Sequence, residues 1–254
     1  ASSSSAPTTT AAVVAPKPFR VVFPEGFTRR QMAQRVTAVA AIAHREKGVR
    51  PRLSSRSYLA ASRPRRIPGF GSKRRPLEGF LFPATYDFLA KTTSQQLVQG
   101  QLKAFQQNWR KLDLRYARSK HLTPYDVLII ASMVEKEAVA PEERAKIAAV
   151  IYNRLRRHMT LGIDATIRYG LGVPGTKALR VSQLESNTPY NTRKFAGLPP
   201  TPIANPGLAS LQAAAHPAKV PYLFFVRKPD KVHHFFTASE DAFINYERAH
   251  GYIH

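Results

Sequence analysis

The chain has 254 residues, 43% of them hydrophobic, which suits one large or two smaller globular domains with ample sequence for a core. It contains no cysteine, so disulfides, thiolate metal sites and cysteine nucleophiles are excluded. The formal net charge is +23 and uneven: residues 1–123 hold 23 Lys and Arg against 5 Asp and Glu, or +18, whereas residues 124–254 hold 16 against 11, or +5. The first part should therefore attract a polyanion, and charge alone does not choose between nucleic acid, anionic lipid and an anionic cell-wall polymer.

Residues 1–16 are Ser, Thr, Ala and Pro apart from Val13 and Val14, the composition of a disordered linker that contributes nothing to a core. The chain opens on Ala1 without Met, so an upstream anchor or signal stays open. Phe19-Arg-Val-Val-Phe23 reads as a short strand and Pro24-Glu-Gly-Phe27 as a turn. Thr28 opens a helix, with Gln31 completing a capping box, Met32, Val36, Val39, Ala40 and Ala43 as the apolar stripe, and Gly48 as the end. Residues 50–75 carry nine Arg and Lys and no acid; a short helix is expected at 54–61, then a Pro- and Gly-rich loop over 62–76. Residues 77–88 are aromatic and expected to be extended. Strand, helix, helix and strand together predict a small β-α-α-β unit.

The next helix is expected to be capped by Ser94, with Val98, Leu102, Phe105 and Trp109 on one face. The segment 123–138 follows. Thr123, Pro124 and Asp126 make a capping box with Pro at the first helical position, and residues 127–134 show no polar face except Ser132. That buried helix ends in Glu135-Lys-Glu137. Its apolar run is the longest in the chain, and it is far short of the roughly 18 residues of a membrane span. A further helix starts at Pro141, with Glu142 and Glu143 in its first turn, where the dipole favours them, and Ile147, Val150, Ile151 and Leu155 inside. Residues 160–207 read as mostly loop, interrupted by short elements. Ser210 starts a short helix to His216, residues 222–226 and 233–237 form a hairpin, and a helix over 239–250 closes the chain.

Burial raises a carboxyl pKa, and a raised pKa is what a general acid needs, so a buried helix that delivers carboxylates marks a candidate site. Glu135 and Glu137 point about 200° apart on a helix and cannot form a facing pair. Glu137 shares a face with Val127, Ile130 and Val134; Glu135 shares another apolar face with Leu128, Ala131 and Ser132. Periodicity does not choose between them, and a solvated helix end with ordinary charges explains them equally well. Asp164, an isolated acid in an apolar setting, could orient a ligand hydroxyl or serve only as a turn or cap residue. Tyr190 and Asn191, beside the rigid Pro199-Pro200 turn, suit carbohydrate, or a structural loop. His216 reads as a cap or core hydrogen-bonder, and of His233 and His234 only one faces inward. No His spacing with a matching acid indicates a metal, and no nucleotide or serine-hydrolase signature occurs, so no metal and no cofactor are expected.

Taken in order, Leu77-Glu-Gly-Phe-Leu-Phe-Pro-Ala-Thr-Tyr86, Ala131-Ser-Met-Val-Glu-Lys-Glu137, Ile151-Tyr-Asn-Arg-Leu155, Pro189-Tyr-Asn-Thr192, Gly197-Leu-Pro-Pro-Thr-Pro-Ile203, Ala213-Ala-Ala-His-Pro-Ala-Lys219, Pro221-Tyr-Leu-Phe-Phe-Val226 and His234-x-Phe-Thr237 form a series. That series resembles the endolytic murein transglycosylase family (MltG, YceG-like) over about residues 19–250. The resemblance implies an α+β fold with three parts: a disordered linker over 1–18, a small LysM-like β-α-α-β subdomain over 19–90, and a mainly helical catalytic domain with a β-hairpin over 91–254. It implies cleavage of the MurNAc–GlcNAc β-1,4 bond of peptidoglycan without water, leaving a 1,6-anhydro-MurNAc end, with Glu137 as the catalytic acid. Glu135, Asn153, Asp164, Thr166, Tyr190, Asn191, His216 and His234 become the substrate-binding or supporting residues. The implied location is the outer side of the cell membrane, behind a single upstream helix absent from this chain. The implied partners are glycan strands and the cell-wall synthesis or division machinery, with no nucleic acid. The chain departs from the family's Gln-Thr-Asp-Pro-Thr at Gly162-Ile-Asp-Ala-Thr166, and has Arg193 where the family often has Tyr.

Two other readings compete. A non-catalytic cell-wall-binding module would bind glycan without making product. A nucleic-acid binder driven by the basic half would bind DNA with steep salt dependence, but the basic run carries no recognised nucleic-acid-binding motif.

Overall fold

The computed structural model describes residues 18–252; the linker expected over 1–18 lies outside it except for residue 18, as do the last two residues. The architecture is α+β. Strand β1 (Phe19–Val22) leads into α1 (Arg29–Lys47) and α2 (Ser55–Ala61), and β2 (Thr85–Phe88) returns antiparallel to β1, Phe19 opposite Phe88 and Val22 opposite Thr85. Both helices start where the capping boxes direct: Thr28 with Gln31, and Ser54 with Ser57. Gly48, at φ 64, closes α1 in the left-handed region.

One expectation changes in this half and another is extended. Only Thr85–Phe88 of the aromatic 77–88 run is strand. Gly79 sits at φ +88, and a Cβ there would lie 2.7 Å from Pro202, so the backbone turns inward under the 202–205 loop and buries Leu77, Phe80 and Leu81 completely. The basic 62–76 loop is also part of the core. Ile67 and Phe70 are buried, and Phe70 packs edge-on to Phe80 and against Trp109, with ring centroids 4.8 Å apart in both cases. Arg75 lies over the Tyr125 ring at 4.0 Å, a cation–π contact that pins the loop's end.

Helix α3 (Ser94–Trp109) is capped by Thr93 rather than Ser94, because Gln96 supplies the reciprocal bond. Ser94 is instead buried, and its hydroxyl meets that of Ser57 at 2.7 Å. A short α4 (Arg115–Ser119), absent from the sequence reading, precedes α5 (Pro124–Glu137), whose Thr123–Asp126 capping box is present. A single 3-10 turn (Pro141–Glu143) then leads into α6 (Arg144–Arg156). Short helices α7 (Asp164–Leu171) and α8 (Val181–Leu184) punctuate the long connection before α9 (Leu208–Ala215). The hairpin β3 (Phe224–Arg227) and β4 (His234–Thr237) and the closing helix α10 (Glu240–Ala249) follow.

α5 is the hub. Every residue from Val127 to Val134 is buried, and the helix packs chiefly on α9 and α6. The buried cluster runs continuously from Val21 to Ala215, with residues on both sides of position 90 contributing. No helix among the described residues is long and apolar enough to cross a membrane.

Candidate active site

The site forms where the buried hub helix reaches the surface. α5 ends as Ala138 turns extended, at φ −72 and ψ 121, which leaves Glu137 half-buried at the last helical position. Burial pushes the Glu137 carboxyl up to about 7; the Arg227 guanidinium opposes this, Asp164 adds to it, and Lys136 and Arg168 oppose it more weakly. Arg227 also reaches back from β3 to donate to the Glu137 backbone carbonyl at 3.2 Å. Among the described residues, no group donates a hydrogen bond to the Glu137 carboxylate.

The neighbouring acids are tied down. Glu135 Oε2 accepts from the Gly207 N–H at 3.0 Å, at the start of α9. Burial raises its pKa, while the Ser210 hydroxyl and then that amide, at the positive end of a helix, oppose the rise. The Glu25 carboxylate, from the turn after β1, lies against Gly207 so closely that a Cβ there would displace it. Lys136 Nζ donates to the Gly26 carbonyl of the same turn at 3.4 Å. Asp164, the first residue of α7, pairs through Oδ1 with Arg193 Nε at 2.6 Å; both side chains are about half exposed.

Asp164 thus lies within electrostatic reach of Glu137. The other sequence candidates hold the walls. Thr166 is buried, bonds the Ile163 carbonyl at 2.6 Å and meets the Thr192 hydroxyl at 2.9 Å, so it ties the α7 start to the 190–195 loop. The Asn191 amide donates to the carbonyls of Leu184 and Ser186 at 2.8 Å each and is fully buried. The Tyr190 ring stands 5.1 Å from that of Tyr169, and its hydroxyl meets Thr201 at 2.8 Å. The Asn153 amide donates to the Val220 and Tyr222 carbonyls at 2.9 Å each and anchors the strand that carries Arg227. His234 is the inward-facing member of its pair: Nδ1 lies 2.7 Å from Glu143, which also accepts its backbone N–H. His216 is exposed at the C-terminal end of α9, away from Gly207. The hydrogen bonds of Thr166, Asn191, Asn153 and His234 all run to other parts of the chain.

The sequence reading gave no role to a second node beneath the site. Glu78 is buried and accepts from the Arg29 N–H at 2.8 Å, Asn205 Nδ2 at 2.8 Å and the Tyr169 hydroxyl at 3.1 Å. Burial pushes its carboxyl up to about 7 against those three donors. Asn205, also buried, accepts from the Gly79 and Leu81 amides through Oδ1 and donates to the Phe27 carbonyl. This node joins the start of α1, the 77–81 turn, the 202–207 loop and α7. Glu78 carried the mark that singled out Asp164, a lone acid in an apolar run. Asn205 carried none beyond a turn-forming Asn-Pro-Gly. Arg227 stood in the hairpin connection, where a basic residue looks like an ordinary solvated charge.

The sequence model of the YceG-like family matches residues 2–248. The chain is 40% identical over 156 residues to a Bacillus subtilis (strain 168) protein named endolytic murein transglycosylase, an alignment covering 61% of this chain and 43% of that protein. It is 35% identical over 225 residues to a Streptococcus pneumoniae (strain ATCC BAA-255 / R6) protein of the same name, covering 81% and 40%. The chain therefore spans about two-fifths of the length of these curated relatives. The crystal structure of a putative YceG-like protein from Listeria monocytogenes matches it with a TM-score of 0.74 at 31% identity, over 92% of this chain and 76% of that one.

Proposed function

The chain belongs to the YceG-like family, and on that premise we propose that it is a peptidoglycan lytic transglycosylase that works through one carboxyl group, Glu137. The protonated carboxyl gives its proton to the glycosidic oxygen between MurNAc and GlcNAc as the C1–O bond breaks. The C6 hydroxyl oxygen of the same MurNAc closes on C1, and its proton passes to the Glu137 carboxylate. The acid is regenerated, no water is consumed, and the strand end is 1,6-anhydro-MurNAc.

The observation that carries this reading is the isolation of Glu137: a half-buried carboxyl with a pKa near 7 that accepts no hydrogen bond from the described residues. A glycosidase needs a second carboxylate as nucleophile or as base for water. Here Glu135 is held by Gly207 and Asp164 by Arg193. A single acid suffices when the nucleophile belongs to the substrate, and the pKa near 7 lets that acid both give and take a proton near neutral pH. The names of the relatives support the same chemistry.

The LysM-like character of residues 19–90 belongs to this proposal, as a glycan-holding part on the β-α-α-β unit. So does a place outside the cytoplasm, tethered to the membrane by a helix upstream of this chain. Mass spectrometry of purified peptidoglycan digests tests the central reading. The wild-type protein is expected to release 1,6-anhydro ends, and Glu137→Gln none while remaining folded. Reducing ends would indicate a hydrolase, and binding without product would indicate the cell-wall-binding module.

A further inference from the structure

Arg227, whose guanidinium donates to the Glu137 backbone carbonyl, is also one of the residues lining an open surface cavity of about 410 Å³. The cavity is walled by Val226, Arg227, Lys228, Pro229 and Lys231 of the hairpin and by His250 and Tyr252 beyond α10. Among the described residues, three cationic residues and no acidic one belong to that lining. The one acid of the connection, Asp230, is turned into its own loop, accepting from the Val232 and His233 amides at 2.8 and 2.9 Å and meeting His233 Nδ1 at 2.9 Å.

The walls are preformed. The loop closes on itself through Lys228 N–H to the His233 carbonyl at 2.8 Å and Lys231 N–H to the Lys228 carbonyl at 2.9 Å. The opposite wall is stacked: the His250 ring lies 4.0 Å from Tyr246, which lies 4.2 Å from Phe235. Lys231 holds φ 60, a left-handed conformation that costs a non-glycine residue about 1 kcal/mol and that glycine adopts freely. Lysine at that position therefore gives up backbone stability and adds a charge to the cavity.

We propose that this cavity is the subsite for the carboxylate-bearing stem peptide of the muramyl residue at the cleavage point, and that it makes the enzyme prefer strands with acidic peptides. The proposal rests on the reading of Glu137 given above. The peptide branches from the same sugar whose glycosidic bond is broken, and Arg227, which bonds the Glu137 backbone, also belongs to this cation cluster. Arg and Lys contacts to carboxylates are charge-assisted and select for charge as well as shape.

The test uses three strands: native acidic peptides, the same peptides with their carboxylates amidated, and strands stripped of peptide. Wild-type kcat/KM is expected to favour native over amidated strands by about tenfold, the scale of one or two charge-assisted contacts. In Lys231→Gly, and further in Lys228→Ala with Lys231→Gly, that ratio is expected to fall toward one. Lys231→Gly suits the backbone it replaces, so misfolding does not confound it. Binding of the same strands to Glu137→Gln by calorimetry reads the preference without catalysis. Equal wild-type rates on native and amidated strands, or a ratio the lysine variants leave unchanged, would overturn the proposal while cleavage itself stands. Charge-selective binding by Glu137→Gln, with no cleavage by the wild type, would keep the subsite and remove the catalytic reading.

Discussion

Glu137 and Glu78 are both pushed up to about 7 by burial, yet they stand in opposite situations. Glu78 sits in the interior, accepts three hydrogen bonds and joins four segments of chain. Glu137 stands at a helix end partly open to solvent, its carboxylate accepts none from the described residues, and Arg227 bonds its backbone carbonyl while the guanidinium charge opposes the raised pKa. A raised pKa therefore does not identify a catalytic acid in this molecule. What separates the two is whether the carboxyl oxygens are free to meet a substrate.

The largest expected effects fall on opposite observables. Glu137→Gln should lower the rate of anhydro-end formation by about a thousandfold, within the usual range for losing a positioned general acid, and leave the melting temperature nearly unchanged. Glu78→Ala should do the reverse. It strands the Arg29 amide, the Asn205 amide and the Tyr169 hydroxyl, for a loss of about 3 kcal/mol in chemical denaturation. Activity per folded molecule should fall far less than in Glu137→Gln. A Glu78→Ala protein that keeps wild-type stability but loses all activity would break the comparison.

Glu78→Gln is the milder probe. The amide oxygen can still accept from Arg29 and Asn205, and its NH₂ can donate to the Tyr169 hydroxyl. The difference should appear in the pH dependence of stability. The folded-state pKa of Glu78, about 7, lies above its ordinary value of 4.5. Between those values the folded protein keeps a proton that the unfolded chain has lost, so stability is full below about pH 4.5 and falls as pH rises through 7. The slope reaches at most about 1.4 kcal/mol per pH unit, or about 3 kcal/mol across the window. Glu78→Gln should flatten that fall when denaturation is followed from pH 4.5 to 8. Glu137→Gln should flatten it less, because solvent already screens a partly open carboxyl.

The β-α-α-β order, the capped starts of α1 and α5 and the hairpin were legible because each is written locally, in a capping box, an apolar stripe or an alternating run. The end of α5 was legible as a place but not as a choice between Glu135 and Glu137. What separates their environments is the Gly207 amide, which lies 72 residues further along the chain. The Glu78–Asn205 node spans 127 residues, and the inward turn at Gly79 depends on Pro202. No local pattern encodes such contacts. The basic 62–76 stretch read as a loop from its Pro and Gly content, and that composition did not mark Ile67 and Phe70, two residues among fifteen, as the ones that fix it to the core.

The finest contrast between the two acids lies in what their neighbours do. The donors around Glu78 are fixed by the fold, but Glu137 feels Asp164 across the site, and Asp164 is held only by the exposed Arg193 pair. Activity that needs protonated Glu137 should decline above about pH 7, approaching tenfold per unit well beyond that point. Asp164→Asn removes a negative charge that favours the proton and leaves the Arg193 cation unneutralised. Both changes stabilise the Glu137 carboxylate, so the declining limb should move to lower pH, by less than about one unit. The lost ion pair should cost stability no more than about 0.5 kcal/mol. A limb that stays in place or moves upward in a pH–rate series would mean that Asp164 does not act on Glu137 through its charge, and its part would then be confined to holding Arg193 and the 190–195 loop.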